Sequence, residues 1–204
     1  MKNAVIVFFF CHFSYIAFAQ NEPCSVWKKV EECGQMKVYV RECADSPIKE
    51  FKVNDRFVGD FTKLVQIMDD PNTIKLLSER CIEAQELQKL SEHQVLQYYL
   101  FDMPFGVTDR DVISKLTVWR TPTAYKALSE SVSQNNLIPL KKGIIRLKKV
   151  RTSFYFEKQT DGTILMEYTG QTDPNGSIPA WLVNFLATRE ARKLLEKLKY
   201  LVQN

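Results

Sequence analysis

At 204 residues, 45% of them apolar and 25% charged, the chain has the length of one ordinary domain and the composition of a folded one. Its formal net charge of +4 is too slight to argue for nucleic-acid binding, and its seven glycines and eight prolines are too few for a disordered or fibrous protein.

The first nineteen residues have the order of a secretory signal peptide. Lys2 supplies a positive start, Ala4 to Cys11 is an unbroken apolar run, and Ala17-Phe18-Ala19 places small residues three and one positions before a cleavage point. His12 and Ser14 interrupt a stretch already shorter than the roughly 20 apolar residues of a membrane span. The expected division is a signal peptide over 1–19 and one domain over 20–204, in an exported protein that is periplasmic or secreted. Four cysteines then remain, Cys24, Cys33, Cys43 and Cys81, an even number suited to disulfides in an oxidising compartment. Three pairings are open, as is the alternative of four free thiols. With no Cys-x-x-Cys step and His93 the only histidine after residue 19, no structural zinc site or other metal is expected.

Ser25 to Cys33 is short and amphipathic and reads as a helix that Gly34 ends. Met36 to Cys43 alternates as a strand, Ser46-Pro47 breaks it, and Ile48 to Val53 returns to complete a hairpin. Phe61, Leu64, Val65 and Met68 recur at helical spacing behind a capping Asp60, and Asn72 to Ser78 begins a second short helix after Pro71. Strands follow at Ile82 to Leu90, Val95 to Phe101, Arg110 to Arg120, Tyr125 to Gln134, Ile144 to Lys158 and Thr163 to Thr172, the last two flanking the hairpin signal Asp161-Gly162. Ile178, Leu182, Phe185, Leu186, Leu195, Leu198 and Leu201 then mark a long amphipathic helix. A long antiparallel sheet followed by one long helix is an α+β pattern. The apolar face of the sheet needs a cover, and a helix laid across it can leave space for a ligand.

Particular stretches carry a resemblance. They are Trp27-Lys28-Lys29, Val38-Tyr39-Val40-Arg41, the run Met103-Pro104-Phe105-Gly106-Val107-Thr108-Asp109-Arg110-Asp111, and Asp173 to Asn184 with its Ile178-Pro179-Ala180-Trp181-Leu182. Together they resemble the START (steroidogenic-acute-regulatory-related lipid-transfer) family from about Trp27 to about Leu201. The resemblance implies a helix-grip fold, a curved antiparallel sheet wrapped around the C-terminal helix and enclosing an apolar tunnel. It further implies a bound sterol, phospholipid or similar lipid, no cofactor and no catalysis, a gate formed by the C-terminal helix and the Thr121 to Thr123 loop, and a monomer that meets membrane surfaces transiently.

Strand parity then selects candidate ligand-binding residues. Matching the family's cavity-facing position to Gln97 puts Tyr99 and Phe101 on the same face. On the next strand Arg110, Val112, Ser114, Leu116 and Val118 share one face. Some relatives carry an acidic residue where Gln97 stands and an arginine where Leu116 stands, so a buried ion pair of that kind is not available here. Trp181 and Phe185 are the candidate contacts from the helix, and Tyr98 and Trp119, in the opposite phase, are expected to pack against N-terminal helices. Arg110-Asp111 reads as a structural pair at a strand start or as a head-group contact.

Two other classes compete. A helix-grip hydrolase or cyclase would need a positioned acid such as Glu167 or Asp111, and neither a Gly-x-Ser-x-Gly elbow nor a glycine-rich phosphate loop is present. An interaction module would fill its interior with side chains. The basic run Lys141, Lys142, Arg146, Lys148, Lys149 and Arg151 reads as a solvated strand face or as attraction to anionic lipid. Asn175-Gly176-Ser177 reads as a turn or a glycosylation acceptor.

Overall fold

The computed structural model describes residues 24–44, 46–104, 106–132 and 137–204. The signal peptide expected over 1–19 and Gln134 lie outside them. Ten strands and three helices follow in the order β1 (Lys28–Cys33), β2 (Met36–Cys43), β3 (Ser46–Val58), α1 (Phe61–Asp69), α2 (Thr73–Leu77), β4 (Cys81–Lys89), β5 (Gln94–Phe101), β6 (Asp109–Arg120), β7 (Ala124–Ser131), β8 (Ile144–Arg146), β9 (Lys149–Lys158), β10 (Thr163–Asp173) and α3 (Ala180–Gln203). The strands form one sheet in the order β1-β2-β3-β10-β9-β7-β6-β5-β4, antiparallel throughout, with β8 added beside β6 in parallel.

The segment expected to be an N-terminal helix is instead β1, an exposed edge strand paired to β2 through a bulge between Lys29 and Glu31. Its pattern is too short to fix a period, and the signal taken for a helix stop is a hairpin turn. Gly34 adopts φ +61°, a left-handed conformation that serves both ends equally well. A disulfide between Cys24 and Cys43 fastens the segment ahead of β1 to the end of β2, leaving Cys33 exposed and Cys81 buried as free thiols.

Pro47 does not break the sheet, because it sits at the second position of β3, where a missing N–H is tolerated. The helix behind Asp60 forms as the spacing predicts: the Asp60 carboxylate accepts from the Thr62 and Lys63 amides, and Phe61, Leu64 and Met68 turn inward. The stretch Ile144 to Lys158 is divided rather than continuous. Residues 137–146 lie on the outer side of β5 and β6, where Ile138 and Ile144 cover Tyr98, Leu100 and Ile113. Leu147 then passes to the inner side, its amide donating to the Asp111 carbonyl. Tyr98 is therefore buried under this strap and not under N-terminal helices, while Trp119 stays half exposed beside Lys126.

The main core gathers the inner faces of β2, β3, β7, β9 and β10 against α1 and α3. Along α3 the packing is uneven. Ala191, Leu194, Leu195, Leu198 and Val202 are buried in the C-terminal half, whereas in the first three turns only Val183 is. The helix is seated firmly at one end and stands over the sheet at the other. No helix among the described residues is long and apolar enough to cross a membrane.

Candidate functional site

Under the N-terminal half of α3 the sheet and the helix part to leave a cavity of about 320 Å³, a size that suits a small ligand pocket. Its floor comes from alternate residues of neighbouring strands, because only every second side chain of a strand faces inward. β5 contributes Gln97, Tyr99 and Phe101, and β6 contributes Arg110, Val112, Ser114 and Leu116. An aromatic wall stands across from them. Phe154 and Tyr168 stack with ring centroids 4.1 Å apart, and Phe51 meets Tyr168 edge-on at 5.1 Å. Val183, Leu186, Ala187 and Leu194 of α3 form the roof.

Of the residues expected on this surface, Val118 lies further along β6, where it packs in the main core outside the cavity lining. Trp181 and Phe185 point the other way, 70% and 54% exposed. The reason is helical phase. Stepping by four from Trp181 through Phe185 reaches Arg189, a solvent-facing series, while the roof residues fall on the opposite side. That charged continuation was available in the sequence. The aromatic wall was harder to find, since Phe51, Phe154 and Tyr168 meet only after β3, β10 and β9 have paired.

Charged side chains at Asp70, Arg80, Asp102 and Glu190 also border the cavity, and two sets of buried polar groups stand on its floor. Gln97 and Ser114 are cross-strand partners, and the Tyr99 hydroxyl donates to Gln97 Oε1 at 2.7 Å. Burial raises the Tyr99 pKa, keeping the hydroxyl neutral and able to donate. Gln97 is thus held by Tyr99 rather than by a charged partner.

At the other polar point, Arg110 is 2% exposed. It donates through Nε to the Pro174 carbonyl and through Nη2 to the Asn175 carbonyl, each at 3.2 Å, and through Nη1 to the Thr108 carbonyl. Desolvation lowers its pKa, partly offset by Asp109, and it makes no ion pair among the described residues. Residues 175 and 176 form a turn, with the Asn175 side chain accepting from the Gly176 amide.

Asp111 projects to the opposite face, where Arg146 grips it through two hydrogen bonds of 2.6 and 2.8 Å and the Tyr98 hydroxyl adds a third. Arg110 and Asp111 are therefore not each other's partners. Glu167 also lies outside the cavity, 4.0 Å from Lys52. Neither carboxylate expected as a candidate acid faces the cavity. The basic run is likewise divided: Arg146 is committed to Asp111, Lys141 to Glu83 and Arg151 to Glu130.

One grouping of metal-type ligands occurs among the described residues, Cys24, Cys43 and Glu50. Its two sulfurs are bonded to each other and Glu50 is taken by Arg41 at 2.6 Å, so it offers no ligand set for a metal. Asp70 and the Arg80–Asp102 ion pair, at 3.1 Å, also line the cavity. The Thr121 to Thr123 turn is not among the residues that line the cavity.

A large antiparallel sheet closed against a single C-terminal helix, with an apolar cavity between them, defines the helix-grip class of α+β proteins. Within it, the chain belongs to the START domain family, whose model matches residues 20–204. It is 26% identical over 166 residues to an uncharacterized protein of Pseudomonas aeruginosa, with 81% of each chain covered. It is also 26% identical to human START domain-containing protein 10, across 86% of this chain and 58% of that one. The chain thus spans little more than half the length of the human relative. The crystal structure of that human protein superposes with a TM-score of 0.77 at 22% identity, covering 86% of this chain and 72% of the other. A STAR-related lipid transfer protein from Xanthomonas axonopodis superposes with a TM-score of 0.75 at 24% identity, over 87% and 99% of the two chains.

Proposed function

We propose that the protein binds one apolar lipid in the cavity under α3 and transfers it between membranes, without chemistry. The observation that carries this reading is the cavity itself: an interior of about 320 Å³ with a mostly apolar lining, an aromatic wall and a helix roof. Hiding a few hundred square ångströms of hydrocarbon there is worth several kcal/mol at about 25 cal/mol per Å². Affinity needs no specific hydrogen bond; selection among lipids falls to cavity shape and to Gln97, Tyr99, Ser114 and Arg110. Membership of the START domain family and the likeness to a lipid transfer protein support the same reading.

Trp181 and Phe185 take a different part from the floor residues. They lie on the outer side of the first turns of α3, with Arg189 one turn further on and Val183 of the roof directly beneath. Aromatic rings followed by a cation suit the interface of an anionic bilayer. Docking by this face brings the first turns of α3, which roof the cavity, to the membrane, and the partnership is transient. The protein acts as a monomer outside the cytoplasm, where the Cys24–Cys43 bond is stable.

The test is native mass spectrometry of protein purified from its own host, followed by organic extraction, alongside a vesicle-to-vesicle transfer assay. A stoichiometric lipid and transfer abolished by Val112→Trp are expected. An empty protein that transfers no lipid class would overturn the proposal.

A further inference from the structure

One glycine in the sheet is explained by neither a turn nor its backbone angles. Gly170 lies within β10, flanked in register by Phe51 of β3 and Thr152 of β9. Glycine within a strand weakens it, having no side chain to pack and more conformational freedom to lose. The reason for it here is space. A Cβ at this position would lie 2.6 Å from Phe51 Cζ, 2.8 Å from Phe51 Cε1 and 3.1 Å from Thr152 Cγ2. The Phe51 ring therefore occupies the room a side chain would take.

Phe51 is also part of the cavity wall, and its other neighbours limit where it can go. Tyr168 stands edge-on to it at 5.1 Å and is itself stacked on Phe154 at 4.1 Å. With the sheet behind it and that stack beside it, the cavity that Phe51 lines is the open space next to a displaced ring. The inward positions of β10 run Tyr168, Gly170, Thr172, so the ring lies between the Thr172 and Arg110 end of the cavity and its inner end at Tyr168 and Phe154.

We propose that Gly170 and Phe51 together gauge the size of the cargo: the glycine lets the ring lie flat on the sheet, and the flat ring leaves the inner end of the cavity open to an acyl chain. The inference rests on the lipid-binding reading and adds to it the residues that set the accepted chain length. A methyl group at position 170 tips Phe51 inward and shortens the usable cavity. Trimming Phe51 lengthens it and makes the methyl group harmless.

Straight-chain 1-alkanols from octanol to hexadecanol, displacing a solvent-sensitive fluorophore from the full domain, test this directly. In the unaltered protein affinity should rise with chain length to a limit. Gly170→Ala should move the limit to shorter chains and weaken the longest accepted alkanol about tenfold. Phe51→Ala should move it to longer chains, and in that background Gly170→Ala should change affinity by less than about twofold. Equal effects of Gly170→Ala in both backgrounds, or an unmoved limit, would overturn the gauge and leave lipid binding standing. Displacement by no alkanol from any variant would overturn lipid binding and the gauge together.

Discussion

The Asp55 carboxylate, fully buried on the inner face of β3, receives the Lys199 ammonium of α3 at 3.0 Å. Asp55 stands in a row that otherwise reads Phe51, Val53 and Phe57, so one acidic residue occupies a core position in order to hold the helix. Lys199 is 32% exposed, and solvent screens part of the attraction. Replacing it with methionine keeps most of the packing but leaves the carboxylate with the Arg56 amide as its remaining partner. The expected cost is about 1–3 kcal/mol, read from urea midpoints of Lys199→Met against the unaltered protein.

Arg146→Met should cost more, about 3–5 kcal/mol, because Asp111 is 1% exposed and would keep only the Tyr98 hydroxyl. Arg146→Lys should recover only part of that, since an ammonium cannot supply the two parallel donors of a guanidinium. Denaturant titration of both variants checks the order. Equal stability of the lysine variant and the parent would mean that the paired geometry contributes nothing.

Reduction of the Cys24–Cys43 bond, which spans 19 residues of sequence, should lower stability by about 3 kcal/mol on the chain-entropy account. The loss should be local at first. β1 is exposed along its whole length and pairs with β2 alone, so amide exchange should quicken in residues 28–43 while the cavity floor on β5 and β6 stays protected.

Alkaline pH should destabilise the fold. Burial pushes the Cys81 thiol from 9.0 up to about 11, with the Lys75 charge and a backbone hydrogen bond at Glu83 acting in the other direction. Between those values the unfolded chain releases this proton and the folded chain keeps it, so stability is lost as pH rises. Burial raises Tyr99 and Tyr125 as well, extending the loss to higher pH. Urea midpoints measured from pH 8 to 11 should fall, and Cys81→Ala should remove the portion that begins near pH 9. A slope unchanged in that variant would refute the assignment.

Trp181→Ala with Phe185→Ala should leave thermal stability within about 0.5 kcal/mol, as expected for exposed side chains away from packing, and should weaken sedimentation with vesicles containing anionic phosphatidylserine. Arg189→Glu should make that weakening depend on the anionic fraction. Vesicle binding unaffected by all three changes would remove this face from membrane docking.

Much of the sheet was legible in the sequence because period-2 patterns mark strand faces directly. Gln97 with Tyr99, and Arg110 with Val112, Ser114 and Leu116, fall on one surface by parity alone. The long helix was legible too, but not the side of it that faces inward. Its first turns carry Trp181, Leu182, Val183, Phe185 and Leu186, apolar nearly all round, and only the charged continuation at Arg189 separates the two faces. Ser25 to Cys33 does not declare its structure, because an amphipathic stretch of nine residues fits either period, and Gly34 ends a helix or turns a hairpin with the same dihedral. The strap over Tyr98 could not be foreseen from local pattern: Asp111 and Arg146 are 35 residues apart and meet only because β8 pairs in parallel with β6.

The uneven seating of α3 separates two properties that are usually measured as one. Melting temperature reports on the turns around Leu195 and Leu198, which are completely enclosed, whereas under the proposed lipid-carrying role uptake and release would depend on the turns around Val183 and Ala187. A variant can therefore exchange its guest far faster or slower than the parent and still melt at the same temperature, so screens based on heat alone will pass over the residues that govern delivery.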